Sequence, residues 1–127
     1  MTTKTMTIQQ LANKLVEYCR TGQHDRVYKE LCAPEMTAYE MEGFPNAITS
    51  GIDNLLEKSA KWAEDVQEVH EMLVSDPVVG GNYFSCSMTI DLTKKSTGTR
   101  QREEELCLYK VKNGQIVEER FFYDMPM

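Results

Sequence analysis

The spacing of hydrophobic residues changes near residue 66, and this change constrains the fold of the 127-residue chain most. Before that point apolar residues recur every three to four positions, which predicts helices. After it they alternate with polar residues, which predicts strands. The front half predicts three helices and one short strand, "MTAYEM" at 36–41, and the back half predicts four strands. Separate helical and strand-rich regions are typical of an α+β domain.

Local signals set the expected limits of the helices. Thr7 and Gln10 have the spacing of a capping box at the start of the first helix. The second helix is expected from about Asp25, and Ser50 with Asp53 predicts the cap of the third. The four predicted strands form an antiparallel meander, because turn-rich segments connect them. A long twisted sheet of this kind has to curve around the helices, which leaves a hollow between the two layers.

Asn113–Gly114 predicts a two-residue type I′ hairpin turn between the last two strands. An unbroken ladder from this turn pairs Cys107 with Arg120 and Glu105 with Phe122. One face of the hairpin then carries polar and aromatic groups together: Glu105, Cys107, Arg120, Phe122 and Asp124. The other carries Glu104, Leu106, Leu108, Val117, Phe121 and Tyr123. We expect the first face to line a pocket and the second to contact another subunit. In the alternative interpretation, Arg120 only forms a structural ion pair with Glu105 or Glu118.

The composition excludes several classes of partner. A net charge of −6 and a pI near 4.9, without clustered Lys and Arg, argue against nucleic acid and anionic membranes. No apolar run is long enough to span a membrane, and the N-terminal residues lack the apolar core of a signal peptide. We therefore expect a cytoplasmic protein with a single domain over residues 1–127.

The four cysteines are expected to be free, buried thiols. Cys19, Cys32, Cys86 and Cys107 are widely spaced among apolar residues, without the close pairing that a zinc site requires. The sequence also lacks the glycine-rich nucleotide motifs and the H-E-x-x-H zinc motif. We expect neither a metal nor a cofactor.

Three segments together resemble the SnoaL-like branch of the nuclear transport factor 2-like (NTF2-like) superfamily. They are "ITSGIDNLLEKSAKWAED", "VHEMLVSDPVVGGNYFSCSMTIDLTKKSTG" and "EEELCLYKVKNGQIVEERFFYD", and the resemblance extends over essentially the whole chain. It implies a cone-shaped α+β barrel, in which three N-terminal helices pack on a curved antiparallel sheet, and usually a homodimer. It implies no single reaction, because the superfamily includes isomerases, cyclases, hydrolases and non-catalytic binding proteins.

The resemblance and the residue pattern suggest a site at the mouth of the cone. An aspartate that closes the last aromatic strand, here Asp124, is a common pocket position in hydrolytic members. Asp124 or Glu105 is the expected base, with a pKa raised by burial near Phe122. His70 is the expected partner acid, because its parity places it on the apolar side of its strand; a purely structural histidine is the alternative.

Further residues are expected to form the wall of the pocket. Glu40 resembles an acidic pocket position of some relatives, although a solvated edge charge is the alternative. Tyr18 and Trp62 lie near helix ends, which in a cone are close to its mouth. The alternative interpretation is that both are core residues. The apolar face of one strand adds Phe84, Cys86 and Met88.

The leading hypothesis is a protein that binds a small hydrophobic molecule with a polar end. It allows cofactor-free acid/base catalysis of the isomerase, cyclase or hydrolase type. The alternative is a non-catalytic domain that dimerises through its sheet or binds another protein.

Overall fold

The computed structural model describes residues 6–124, which form three helices and seven strands. Two helices come first, and the third lies between the second and third strands. In chain order these are α1 (Ile8–Arg20), α2 (His24–Glu30), β1 (Cys32–Tyr39), β2 (Ile48–Ser50), α3 (Ile52–Glu64), β3 (Val66–Val74), β4 (Val78–Gly80), β5 (Tyr83–Lys94), β6 (Arg100–Lys112) and β7 (Gln115–Phe122). The predicted α+β class is confirmed. The short strands β2 and β4 lie in "EGFPNAITSG" at 42–51 and "DPVVGGN" at 76–82, whose glycines and prolines predict loops.

The strands form one curved, unclosed sheet in the order β2-β1-β7-β6-β5-β3, with β4 paired to β5. The predicted meander of β3, β5, β6 and β7 is confirmed, and its pairs are antiparallel. Strand β1 pairs with β7 in parallel, which brings the front half of the chain beside its last strand. The sheet packs on the helices as expected for the NTF2-like cone.

The helices are held on the sheet by a continuous apolar core. In α1 the Thr7–Gln10 capping box is present, with Thr7 Oγ1 accepting from the Gln10 amide at 3.1 Å. The predicted Ser50–Asp53 cap of α3 is wrong, because Gly51 is the N-cap residue and makes no side-chain cap bond. Buried residues of α1 meet the inner row of β5, and the largest fully buried ones include Leu11, Leu15, Phe84 and Leu92.

A β-bulge at Val117 changes the register of the final hairpin. Asn113 and Gly114 both have positive φ, 53° and 74°, so the type I′ turn is confirmed. The ladder starts in the predicted register, but Lys110 then pairs with Glu118, which leaves Val117 as an extra residue.

This bulge reverses the faces of β7 relative to the prediction. Glu119 and Phe121 now lie opposite Tyr109 and Cys107, on the inner face of the sheet. Arg120 and Phe122 lie on the outer face, and Asp124 is exposed just beyond the strand. The predicted pairs of Cys107 with Arg120 and Glu105 with Phe122 are wrong. Strand β6 keeps its predicted orientation, because the bulge lies on β7.

A second bulge lies at His70 in β3. Val69 pairs with Leu92 and Glu71 with Asp91, so His70 is unmatched. Its Nε2 lies 2.8 Å from Oγ1 of Thr93, on the outer side of the sheet.

No helix of the described residues 6–124 is long and apolar enough to cross a membrane.

The buried row of β5 should carry much of the stability. Leu92 is fully buried, so Leu92→Ala removes apolar contacts and leaves a cavity; we expect a loss of about 2 to 5 kcal/mol. Val78 is exposed on β4, so Val78→Ala should cost at most about 1 kcal/mol. Urea unfolding of both variants measures the difference, and similar losses for the two would contradict the described core.

Candidate functional site

Three glutamates converge on the inner side of the sheet from neighbouring strands. Glu105 projects inward from β6, where its strand partner is Met88 of β5. Glu119 projects inward from β7, beside Ala38 of β1. Glu40 follows directly after β1; it raises the pKa of both Glu105 and Glu119, and Glu105 also raises the pKa of Glu119. We call Glu40, Glu105 and Glu119 the carboxyl cluster.

Glu119 is the most deeply buried member, with 3% of its surface exposed. The Tyr28 hydroxyl donates a hydrogen bond to its Oε1 at 2.8 Å. Burial raises the pKa of Glu119 to about 7, because an ionised carboxylate loses its hydration there, and Glu105 and Glu40 add to the effect. The hydrogen bond from Tyr28 acts in the opposite direction.

Glu105 is half-buried and lies nearer to solvent. Burial is again the main reason that its pKa is raised to about 7, with smaller contributions from Glu40 and Glu103. The thiol of Cys107 donates to Glu105 Oε1 at 3.6 Å, which favours the ionised carboxylate. A carboxyl group with this pKa exchanges its proton readily at neutral pH.

Glu40 links Lys58 and Tyr123. The Tyr123 hydroxyl donates to Glu40 Oε2 at 2.8 Å, and Lys58 Nζ lies 3.2 Å from Glu40 Oε1. Burial, followed by Glu40, raises the pKa of Tyr123 to about 12, so the phenol keeps its proton at neutral pH. Only 15% of the Glu40 side chain is exposed, which contradicts the alternative of a solvated edge charge.

A groove of about 430 Å³ opens beside the cluster, where β7 ends and β6 continues. Its volume is within the range of small-molecule sites. The inner face contributes Glu105, Tyr123 and Met88, and the outer face contributes Phe122 and Asp124. The outer face also contributes the remaining lining residues, which are Ser87, Thr89, Glu104 and Leu106. Glu105 is the one member of the carboxyl cluster among the residues that line this groove.

The structure separates the three predicted catalytic residues. Glu105 is on the inner face, as predicted, whereas Asp124 lines the groove from its exposed side. His70 does not join them, because its bulge turns it to the outer face, where it contacts Thr93 and lies 3.8 Å from Glu68. The predicted inward position of His70 is wrong.

The predicted wall residues also divide between different regions. The Arg120 guanidinium lies 4.0 Å from the centre of the Tyr39 ring, and its Nε lies 3.7 Å from Glu118. Its predicted place in the pocket is therefore wrong, and the structural ion pair with Glu118 is present. Phe122 lines the groove only from the outer face, with 43% of its surface exposed.

The other wall residues belong mostly to the core. Tyr18 is buried and donates its hydroxyl to Glu30 at 2.8 Å, away from the cluster. Trp62 on α3 is 43% exposed. Inner-face residues of β5 and β6 include Phe84, Cys86, Met88 and Cys107, of which Met88 reaches the groove.

Sequence reasoning missed Glu119, Tyr28, Tyr123 and Lys58. Glu118 and Glu119 are adjacent, so one of them must face inward whichever register applies, and the pattern alone does not say which. Among the described residues, no three His, Cys, Asp or Glu side chains form a group that could hold a metal ion.

The chain is similar to proteins of one known family in both sequence and fold. The model of the SnoaL-like domain family matches residues 6–123. A crystal structure from Mesorhizobium loti, of a protein named as a candidate SnoaL-like polyketide cyclase and also as a carbohydrate phosphatase, is 37% identical with a TM-score of 0.87. The match covers 93% of this chain and 100% of that one. A search of curated proteins gives no significant match.

More distant structures share the fold. A candidate SnoaL-like polyketide cyclase from Jannaschia sp. CCS1 is 16% identical, with a TM-score of 0.76 over 98% of this chain and 91% of that one. A hypothetical protein from Catenulispora acidiphila, with a ketosteroid isomerase-like fold and in complex with trimethylamine, is 13% identical. Its TM-score is 0.72, over 94% of this chain and 88% of that one.

The buried Glu119 should make stability depend on pH. Between about pH 4.5 and 7 the unfolded chain releases this proton while the folded chain keeps it, so stability falls as pH rises through that window. Glu119→Gln removes the titration and keeps an acceptor for Tyr28. Relative to wild type, we expect this variant to be more stable at pH 8 than at pH 5 by roughly 1 to 3 kcal/mol.

Urea unfolding at the two pH values measures this effect. Glu118→Gln is the matched control, because Glu118 lies on the outer side of the same strand and forms a partly exposed ion pair with Arg120. The same pH dependence in both variants would contradict the role assigned to burial.

Proposed function

The chain belongs to the SnoaL-like domain family, and on that premise we propose that it binds a small hydrophobic molecule with a polar end and transfers protons on it without a cofactor. The observation that carries the proposal is Glu105, a carboxyl group with a pKa raised to about 7 in a residue that lines the groove. General bases work best when their pKa lies near the working pH. The family match confirms the resemblance recognised from the sequence.

Glu105 is the proposed base. In its ionised form it would take a proton from a carbon atom next to a carbonyl group of the ligand. Once protonated, it would return that proton to a different carbon atom, which gives an isomerisation. Alternatively, the enolate carbon would attack a second carbonyl group of the ligand and close a ring, and the protonated Glu105 would give its proton to the alkoxide that forms there. The Mesorhizobium loti relative is named as a candidate polyketide cyclase, and ring closure by an aldol step begins with the same proton removal.

The Lys58–Glu40–Tyr123 group is proposed to receive the polar end of the ligand. Lys58 uses one of its three N–H donors on Glu40, and Glu40 also fixes the Tyr123 phenol. A carbonyl oxygen near this group could accept from Lys58 as negative charge develops on it. Met88 and Phe121 provide apolar surface near the same end of the cone.

Proton removal can be tested without knowing the natural ligand. The hydrophobic ketone 2-tetralone has exchangeable protons next to its carbonyl group, and ¹H NMR in D₂O records their replacement by deuterium. Glu105→Gln removes the base but retains the shape of the side chain. We expect the protein-catalysed exchange rate to fall by about 10²- to 10⁴-fold. Glu118→Gln is the matched control, because Glu118 projects to the opposite face and does not line the groove, and it should retain the rate.

The pH profile provides a second criterion. The wild-type rate should increase with pH and level off above about 7, because only the ionised carboxylate accepts a proton. Equal rates for Glu105→Gln and wild type, or no wild-type exchange above the rate in buffer, would contradict the catalytic proposal.

The alternative function, dimerisation or protein binding without catalysis, is favoured by the outer face of the sheet. Leu106 and Phe122 are paired neighbours there, exposed by 49% and 43%, and Leu73 on β3 is exposed by 49%. Apolar side chains grouped in this way are typical of a contact surface. A homodimer through this face is therefore also part of our proposal.

Leu106→Lys tests the proposed dimer. A lysine at the centre of the contact would be buried without a partner, at a cost of roughly 3 to 5 kcal/mol. We expect light scattering at micromolar concentration to show a dimeric wild type and a monomeric variant. Thr97→Lys, in the exposed turn between β5 and β6, should leave the mass unchanged. A monomeric wild type would contradict the proposal.

A further inference from the structure

Two of the four cysteines are direct partners across neighbouring strands. Cys86 on β5 lies opposite Cys107 on β6, in a ladder without irregularities. Both side chains project into the core and are at most 2% exposed. Cys19 lies on α1 and Cys32 pairs with Ile116, so neither has a cysteine as its strand partner. All four thiols are free.

The hydrogen-bond pattern of the ladder gives the spacing of this pair. The Val111 amide donates to the Asn82 carbonyl at 2.8 Å, and these two residues are opposite each other in the same register. Hydrogen-bonded pairs alternate along an antiparallel ladder, so Cys86 and Cys107 also form one. The Cα atoms of such pairs are about 5.5 Å apart, which is within the range that a disulfide can bridge.

The thiol pair is connected to the groove through Glu105. The Cys107 thiol donates to Glu105 Oε1 at 3.6 Å, and Glu105 lines the groove together with Met88. Met88 is two residues from Cys86 on the same face of β5. Glu105 therefore lies between the groove and the buried Cys107 thiol, so a small, uncharged oxidant in the groove has the thiol pair as its nearest cysteines behind this side chain.

We propose that Cys86 and Cys107 form a reversible oxidation site, at which a hydroperoxide converts the two thiols to one disulfide. The Cys86 sulfur attacks the peroxide, so that an S–O bond forms, the O–O bond breaks and the first water or alcohol leaves. The Cys107 sulfur then attacks the Cys86 sulfur, the S–S bond forms and the oxygen leaves as water. Two electrons pass from the thiols to the peroxide, and the two thiol protons end in the products.

The surroundings favour Cys86 as the first nucleophile. The contact with Cys107 lowers the pKa of Cys86, whereas the same contact and burial raise the pKa of Cys107. Burial raises the pKa of Cys19 to about 12 and also raises that of Cys32, so these two thiols are poorer nucleophiles.

The disulfide should be easy to reduce. Directly opposed Cβ atoms in a ladder are about 4.5 to 5.5 Å apart, and disulfides need about 3.5 to 4.5 Å. Closing the bond therefore strains the two strands, and strained disulfides are more easily reduced. Oxidation also removes the thiol proton that Cys107 donates to Glu105, which should raise the pKa of that carboxyl further.

Treatment of the purified, reduced protein with hydrogen peroxide tests the site. We expect the intact mass to fall by about 2 Da, and alkylation under denaturing conditions to label two of the four cysteines. Peptide mapping should identify a Cys86–Cys107 link, and dithiothreitol should restore all four thiols. The Cys19→Ala, Cys32→Ala double variant should behave like wild type, whereas Cys107→Ala should show no loss of 2 Da.

Other results would overturn the proposal. Four labelled thiols after treatment, a mass gain of about 16 or 32 Da without a link, or a link between Cys19 and Cys86 would each do so. Carboxyl ¹³C NMR of glutamate-labelled protein tests the connection to Glu105 without an activity assay. The titration that disappears in Glu105→Gln should move to higher pH after oxidation, and an unchanged midpoint would contradict that connection.

Discussion

The extra residue at Val117 determines which side chains of the last strand face the helices. Without it, the type I′ turn would carry its register to the end of β7 and direct Arg120 and Phe122 inward. With it, Glu119 and Phe121 occupy those inner positions. The carboxyl cluster therefore depends on a shift of one residue in the backbone. Since side chains alternate between faces, a shift of this size exchanges a whole row of a strand.

The buried carboxyl groups are supported by donors from several elements. Tyr28 of α2 donates to Glu119, Cys107 of β6 donates to Glu105, and Tyr123 donates to Glu40. These bonds satisfy only part of the hydrogen-bonding capacity of the carboxylates, and burial still raises two of the pKa values to about 7. Near neutral pH the interior can therefore take up or release a proton with little free-energy change, as an acid/base site requires.

The sequence predicted the class of fold and the order of its main elements, because hydrophobic spacing and turn residues act locally. It also predicted the direction of Glu105, which lies on the regular side of the hairpin. It did not predict the directions of Arg120 and His70, because each depends on a bulge. A bulge is stabilised by packing against distant elements, and the residues at Val117 and His70 carry no local mark of it. The partners Tyr28 and Glu119 are 91 positions apart, so only the assembled fold brings them together.

The early end of β7 has a further consequence, which concerns solubility. In the part of the chain that the structure describes, residues 100–105 of β6 have no strand partner on the β7 side. The edge of β6 beside the groove thus presents backbone groups to which a strand of another molecule could add. Five of these six residues are charged, in the sequence "RQREEE", and charges of this kind discourage such addition. The protection weakens in acid, where the three glutamates lose their charge. The unpaired edge beside the groove is therefore expected to make the protein more prone to aggregation at low pH.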